Sequence, residues 1–213
     1  MKKTCRSGKY FYRILAVIFW MSLIFTAGYG WYYAKHQIPE HFSVAENMLS
    51  DNLKKIVENS EDIDVPALMN VTNEILEKSR NETNLCNMLL MMKKDTESLY
   101  AHSINVSILC QILAKWSGCT PKEIENVAIA GLLHDVGILK FPEEMRKDFT
   151  FRKEMEGGVY NKHVIYSYNI VKNQNIDTEI KKAILGHHER LDKSGFPLRI
   201  SEHGIGKLAR ILA

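Results

Sequence analysis

His102, the adjacent His134 and Asp135, His163, and the adjacent His187 and His188 are the residues of this chain best suited to chemistry. Neutral imidazole and ionised carboxylate are both ligands for transition metals. One inward histidine alone is more often a satisfied core residue, and an isolated His-Asp pair is a weak signal. The joint pattern is stronger. Five of the eight histidines would otherwise need unrelated explanations as buried imidazoles, each costly unless paired or metal-bound. The set therefore points to a metal site. No Gly-rich phosphate loop, GxSxG motif or CxxC pair accompanies it, which argues against nucleotide cradling by a P-loop, serine nucleophilic catalysis and a zinc ribbon.

The elements that must position these residues read as helices throughout. A helix over residues 96–116 carries Leu99, His102, Val106, Leu109 and Leu113 on one stripe, so His102 is expected on its buried face. Thr120-Pro121-Lys122-Glu123 is a capping box with proline at the first helical position, opening a helix whose face Ile124, Val127, Ala128 and Gly131 leads to His134 and Asp135. Residues 160–172 place His163, Ser167, Ile170 and Val171 on one side. A further helix begins at the N-cap Asp177 and runs through Ile180, Ala183 and Ile184 to His187 and His188, breaking at Asp192-Lys193-Ser194-Gly195-Phe196-Pro197. Residues 41–59 and 66–79 read as two more helices, linking an N-terminal segment to the domain. The fold class is all-α.

The N-terminal segment differs in kind. Ile14 to Tyr33 is free of charge and long enough to cross a hydrocarbon core of about 30 Å, and aromatic residues flank both its ends as in membrane interfaces. It reads as a single transmembrane helix rather than a cleaved leader, because no A-x-A site follows. The division expected is a basic segment 1–13, a span 14–33, a linker and helix 34–63, and a domain 64–213. The first 33 residues hold five of the 28 basic residues and no acidic one, leaving 23 basic against 25 acidic residues in the body. That balance excludes a strongly basic nucleic-acid surface. Cys5, Cys86, Cys110 and Cys119 lie far apart and read as reduced thiols.

The same residues carry a family resemblance. Tyr100-Ala101-His102-Ser103 with Asn105-Val106, then Gly131-Leu132-Leu133-His134-Asp135-Val136-Gly137, then Phe141-Pro142-Glu143-Glu144, and finally the run from His187 to Pro197 resemble the successive motifs of HD-GYP domains. These are a branch of the HD phosphohydrolases that degrades cyclic di-GMP. The resemblance spans residue 64 to the end and implies an HD-type helical bundle. By it, His102, His134, Asp135, His163, His187 and His188 are metal ligands, with Asp135 bridging two ions and so catalytic. Lys140 and Arg210 are expected to contact substrate, and Asp192, Gly195, Phe196 and Pro197 form the motif loop. The implied cofactors are two transition-metal ions, iron or manganese ahead of zinc. Two ions about 3.5 to 4 Å apart activate water for in-line attack on phosphorus and neutralise phosphoryl charge, with no covalent nucleophile.

Some positions depart from the family pattern. Ile138 stands where a lysine usually follows the motif glycine, Ser98 where some members have a glutamate, Val164 for a proline, Phe196 for a tyrosine and Lys193 for a glycine. Ala213 falls just before an expected metal-binding aspartate, so the domain is expected to be incomplete at its C-terminus. Two readings follow. The first is a membrane-anchored, metal-dependent cyclic di-GMP phosphodiesterase; the alternative is a degenerate HD-GYP interaction module without catalysis. The partners implied are a cyclic dinucleotide, the membrane, and a second copy or a diguanylate-cyclase-type protein, with no nucleic acid polymer. The family places the domain in the cytoplasm, whereas the basic residues before Ile14 argue for the opposite face.

Overall fold

The computed structural model describes residues 40–78, 98–147 and 158–213. Among them run α1 (residues 40–58), α2 (Val65–Lys78), α3 (Leu99–Trp116) and α4 (Pro121–Leu133), followed by a 3-10 turn (Val136–Lys140) and α5 (Glu143–Lys147). Then come α6 (Lys162–Val171), α7 (Thr178–Gly186), a second 3-10 turn (Glu202–Gly204) and α8 (Lys207–Leu212). The described residues contain no strand, as an all-α chain requires. The expected span 14–33, the basic segment 1–13, Cys5 and Cys86 lie outside the described residues. Among the described helices, none is long and apolar enough to cross a membrane.

Local chemistry starts the helices where the sequence predicts. The Asp64 carboxylate accepts from the Ala67 N–H at 3.0 Å to open α2. Thr120 and Glu123 form a reciprocal capping box at α4, and the Asp177 carboxylate accepts from the Glu179 N–H at α7. Each supplies an acceptor to amide groups that lack an intrahelical partner. Ser98, the residue standing in for a glutamate, is the N-cap of α3, its hydroxyl accepting from Tyr100 and Ala101 N–H.

One core joins these helices. Ile104 and Ile108 of α3, Val127, Ile129, Leu132 and Leu133 of α4, Leu68, Val71 and Ile75 of α2, Ile180 and Ile184 of α7 and Leu208 and Leu212 of α8 are buried together. Residues 34–63, read from sequence as a linker and helix, prove to include α1, which adds Phe42, Ala45, Leu49, Leu53 and Ile56 to the same core. At about 1.5–3 kcal/mol for a fully buried aliphatic side chain, Leu49 and Leu53 hold α1 firmly to the bundle.

The α3 stripe expected from sequence is corrected. Leu109 and Leu113 are 40% and 45% exposed, and the buried face instead runs through Ala101, Ile104, Ile108, Gln111 and Ala114. The helix is apolar on most of its circumference, so its periodicity cannot select a face, and close contact with α4 does so. A Cβ on Gly131 of α4 would stand 2.6 Å from the Ser107 Cα of α3, and the Ser107 hydroxyl donates to the Ala128 carbonyl at 2.8 Å. That approach fixes α3's rotation and leaves His102 at the rim of the buried face.

Candidate metal centre

Asp135 lies between the end of α4 and the first 3-10 turn, buried among histidines from four helices. His163 Nε2 approaches its Oδ1 at 3.1 Å and His187 Nε2 at 3.9 Å. On the other oxygen, His134 Nε2 stands at 3.5 Å and His102 Nε2 at 3.8 Å. His188 completes the cluster, its ring centroid 4.2 Å from that of His187 and 5.1 Å from that of His163. The ligand atoms fall into two groups that could each hold an ion, His163 with His187 and His188, and His102 with His134 and Asp135. All six residues singled out by sequence are therefore together.

Backbone carbonyls orient three of the rings. His134 Nδ1 donates to the Gly131 carbonyl at 2.8 Å and His187 Nδ1 to the Ile184 carbonyl at 2.7 Å, while His163 Nδ1 donates to the Tyr160 carbonyl. A carbonyl only accepts, so Nδ1 carries the hydrogen, and in the neutral ring Nε2 keeps its lone pair. His134 and His187 are also the C-caps of α4 and α7, so two helix ends that favour positive charge face the centre.

Burial pushes His187 well below the ordinary imidazole range, with His134 and His188 adding to the effect, and lowers His188 to about 4, with His163 as the next cause. Burial works to raise Asp135, but His134, His163 and His187 outweigh it and hold the carboxyl well below its usual range. The result is two rings held neutral, His187 and His188, beside an anion. The buried Nε2 atoms of His163 and His187 find no hydrogen-bond partner among the described residues, which is costly for polar atoms out of water. A ring nitrogen 3.1 Å from a carboxylate oxygen is placed to share a cation with it. The donor set thus fits a divalent metal.

Two close approaches set this geometry. A Cβ on Gly137 would collide with the His163 carbonyl and the Ser167 N–H, and the Gly137 N–H donates to Ser167 Oγ at 2.8 Å, which brings α6 and His163 against Asp135. A Cβ on Gly195 would collide with the backbone at His188, Glu189 and Arg190. The motif loop is therefore folded back on the histidine pair. The Phe196 N–H donates to the His188 carbonyl at 3.1 Å, and its ring stacks on His188 at 4.6 Å and 24°. Asp192 shapes the turn by accepting from the Ser194 N–H at 3.0 Å, and Pro197 follows Phe196 in a half-buried position.

Lys140 and Arg210 are placed elsewhere. Lys140 Nζ donates to the Val57 carbonyl of α1 at 3.2 Å, in a groove of about 630 Å³ that contains none of the six candidate ligands. Arg210 donates to the Ile205 and Glu202 carbonyls. Ile138, in the family's lysine position, is 5% exposed. Sequence reading assigned no role to Glu189. It is buried, with Oε1 accepting from the N–H groups of Leu198 and Arg199 and Oε2 from that of Ile200 at 3.1 Å. Nothing local in the sequence distinguishes it from a surface acid, since its partners lie nine to eleven residues on.

The chain is similar to several known proteins. A family model described as HD domain matches residues 43–213. The chain is 25% identical over 150 residues to a cyclic di-GMP phosphodiesterase of Pseudomonas aeruginosa, covering 70% of this chain and 36% of that protein. It is 28% identical over 111 residues to a cyclic di-GMP phosphodiesterase of Borreliella burgdorferi, covering 52% of this chain and 29% of the relative. It is 33% identical over 131 residues to a 3'3'-cGAMP-specific phosphodiesterase of Vibrio cholerae, covering 59% and 30%. The matched stretches span about a third of each relative's length.

Proposed function

The chain belongs to the HD domain family, and from that premise we propose that it is a metal-dependent phosphodiesterase of the HD-GYP kind that hydrolyses cyclic di-GMP. The observation that carries the reading is the convergence of five imidazoles on one buried carboxylate, with the Nε2 atoms of His163 and His187 left for a cation. The HD family implies a divalent metal, and we assign two ions, iron or manganese ahead of zinc, to the groups His163, His187, His188 and His102, His134, Asp135. When bound, such ions polarise the phosphoryl group and activate water for in-line attack.

The protein's own residues have separate tasks in this proposal. Asp135 supplies negative charge between the two groups and would hold the ions together with the surrounding rings. The carbonyl-held rings of His134, His163 and His187 present Nε2 without reorganisation at the moment of reaction. Lys140 and Arg210 are engaged with backbone carbonyls, so the proposal gives the neutralisation of phosphate charge to the metal centre. Residues 14–33 serve as a membrane anchor, supported by their uncharged run and flanking aromatics, and the domain faces the cytoplasm, where a nucleotide messenger is made.

Elemental analysis of the full chain purified without oxygen, paired with cyclic di-GMP hydrolysis, tests the reading. Transition metal and turnover that both vanish in Asp135→Asn are expected; a folded wild-type chain with metal no higher than that variant overturns it. One observation favours a second reading, an interaction module that binds metal without catalysis: the buried Ile138 in place of a lysine. Bound metal with no turnover of cyclic di-GMP or 3'3'-cGAMP would select that module.

A further inference from the structure

Glu189 directly follows the two adjacent histidines, yet its carboxylate lies buried beneath the motif loop rather than among the metal-group atoms. It gathers three successive N–H groups, from Leu198, Arg199 and Ile200. Three donors on one carboxylate form a strong, charge-assisted clasp. This clasp closes a loop that includes two non-glycine residues with positive φ, Lys193 at 65° and Arg199 at 53°, a conformation that costs about 1–2 kcal/mol per residue and persists only when its surroundings enforce it. The other end of the loop is tied down by the bond from Phe196 N–H to the His188 carbonyl and by the tight seat of Gly195. Between the two ties sits the Phe196 ring, stacked on His188 and edge-on to His163 at 6.4 Å.

His188 needs that support. His134, His163 and His187 have Nδ1 fixed by a backbone carbonyl, whereas His188 has a ring neighbour in Phe196. We propose that Glu189 is a positioning residue for the group His163, His187 and His188: it clasps residues 198–200, which holds Phe196 against the His188 ring and so presets that ring for metal. This deepens the metal-centre reading above and rests on it for the metal arm of the test. The remaining arm does not need metal.

Two measurements on the full chain decide it. In metal-free protein with labelled histidine and phenylalanine, a nuclear Overhauser contact joins the His188 and Phe196 rings; Glu189→Ala abolishes it and Glu189→Gln keeps it in part, since one amide oxygen can still accept from Leu198 and Arg199. In cobalt titrations, Glu189→Ala weakens one of two bound ions by roughly 10–100-fold, the range for loss of support behind a ligand, and changes the cobalt absorption spectrum. Phe196→Ala gives the same loss with Glu189 intact, and Phe196→Tyr restores it.

The proposal is overturned if Glu189→Ala retains either the ring contact or wild-type affinity for both ions, or if Phe196→Ala binds both ions normally. Should Glu189→Ala fail to fold, Glu189→Gln decides on both readouts and Phe196→Ala on cobalt affinity. A wild-type chain that shows the ring contact but takes up no cobalt refutes the metal centre, and with it the preset of His188 for metal, while leaving the clasp of Phe196 to be judged by the ring contact alone.

Discussion

His187 is buried and His188 half-buried beside it, and burial favours the uncharged form of each. In the unfolded chain both titrate near the ordinary value of about 6.5, so below that pH the unfolded state binds more protons than the folded one. Stability from these rings is complete above about 6.5 and is lost as pH falls toward the folded value, about 4 for His188. Asp135, held well below its usual range, stays charged across this window and does not offset the loss. The melting temperature of the metal-free chain is accordingly expected to fall steadily from about pH 6.5 to about pH 4.5, and a flat profile would show that the rings are not held neutral. Asp135→Asn keeps the shape and removes the charge between the two candidate metal groups. It is expected to lower both metal affinity and hydrolysis by roughly 100-fold or more, checked by metal titration and product analysis.

The elements meet at backbone-to-backbone distances, so small residues decide their spacing. At Gly137 the neighbouring atoms are the backbone of α6, which cannot rotate aside as a side chain can. Gly137→Ala is therefore expected to cost about 1–3 kcal/mol in denaturant unfolding and to separate His163 from Asp135, seen as weaker metal binding in the fraction that folds. The motif loop offers the opposite case. Lys193 holds φ at 65°, where glycine has no Cβ penalty. Lys193→Gly is expected to raise stability by up to about 1 kcal/mol, the strain relief being partly cancelled by greater freedom of the unfolded chain. Equal or lower unfolding free energy in the variant would mean that the loop is not strained there.

At the scale of the whole molecule, the flanking charges and the chemistry of the centre disagree about topology. The proposal that the domain faces the cytoplasm predicts activity from a cytoplasm-only reporter fused after Ala213 and silence from an export-only one; the reverse pattern would make hydrolysis of an intracellular messenger untenable. What the sequence determined by itself was the inventory and the local frame. Six candidate ligand residues, the capping box at Thr120 and the N-cap at Asp177 depend on side-chain chemistry and near neighbours, which are written in consecutive residues. Tertiary structure decided the rest, because the partners are remote. α3 is apolar on several sides, and only the contact of Gly131 with Ser107 chose its buried face and left Leu109 and Leu113 outside. Lys140 binds the Val57 carbonyl, 83 residues away in the chain, which no local pattern announces. Glu189 looks like any surface acid until the loop closes over it. Burial and hydrogen-bond satisfaction act on whatever the fold brings together, so the roles of these residues exist only once the helices have packed.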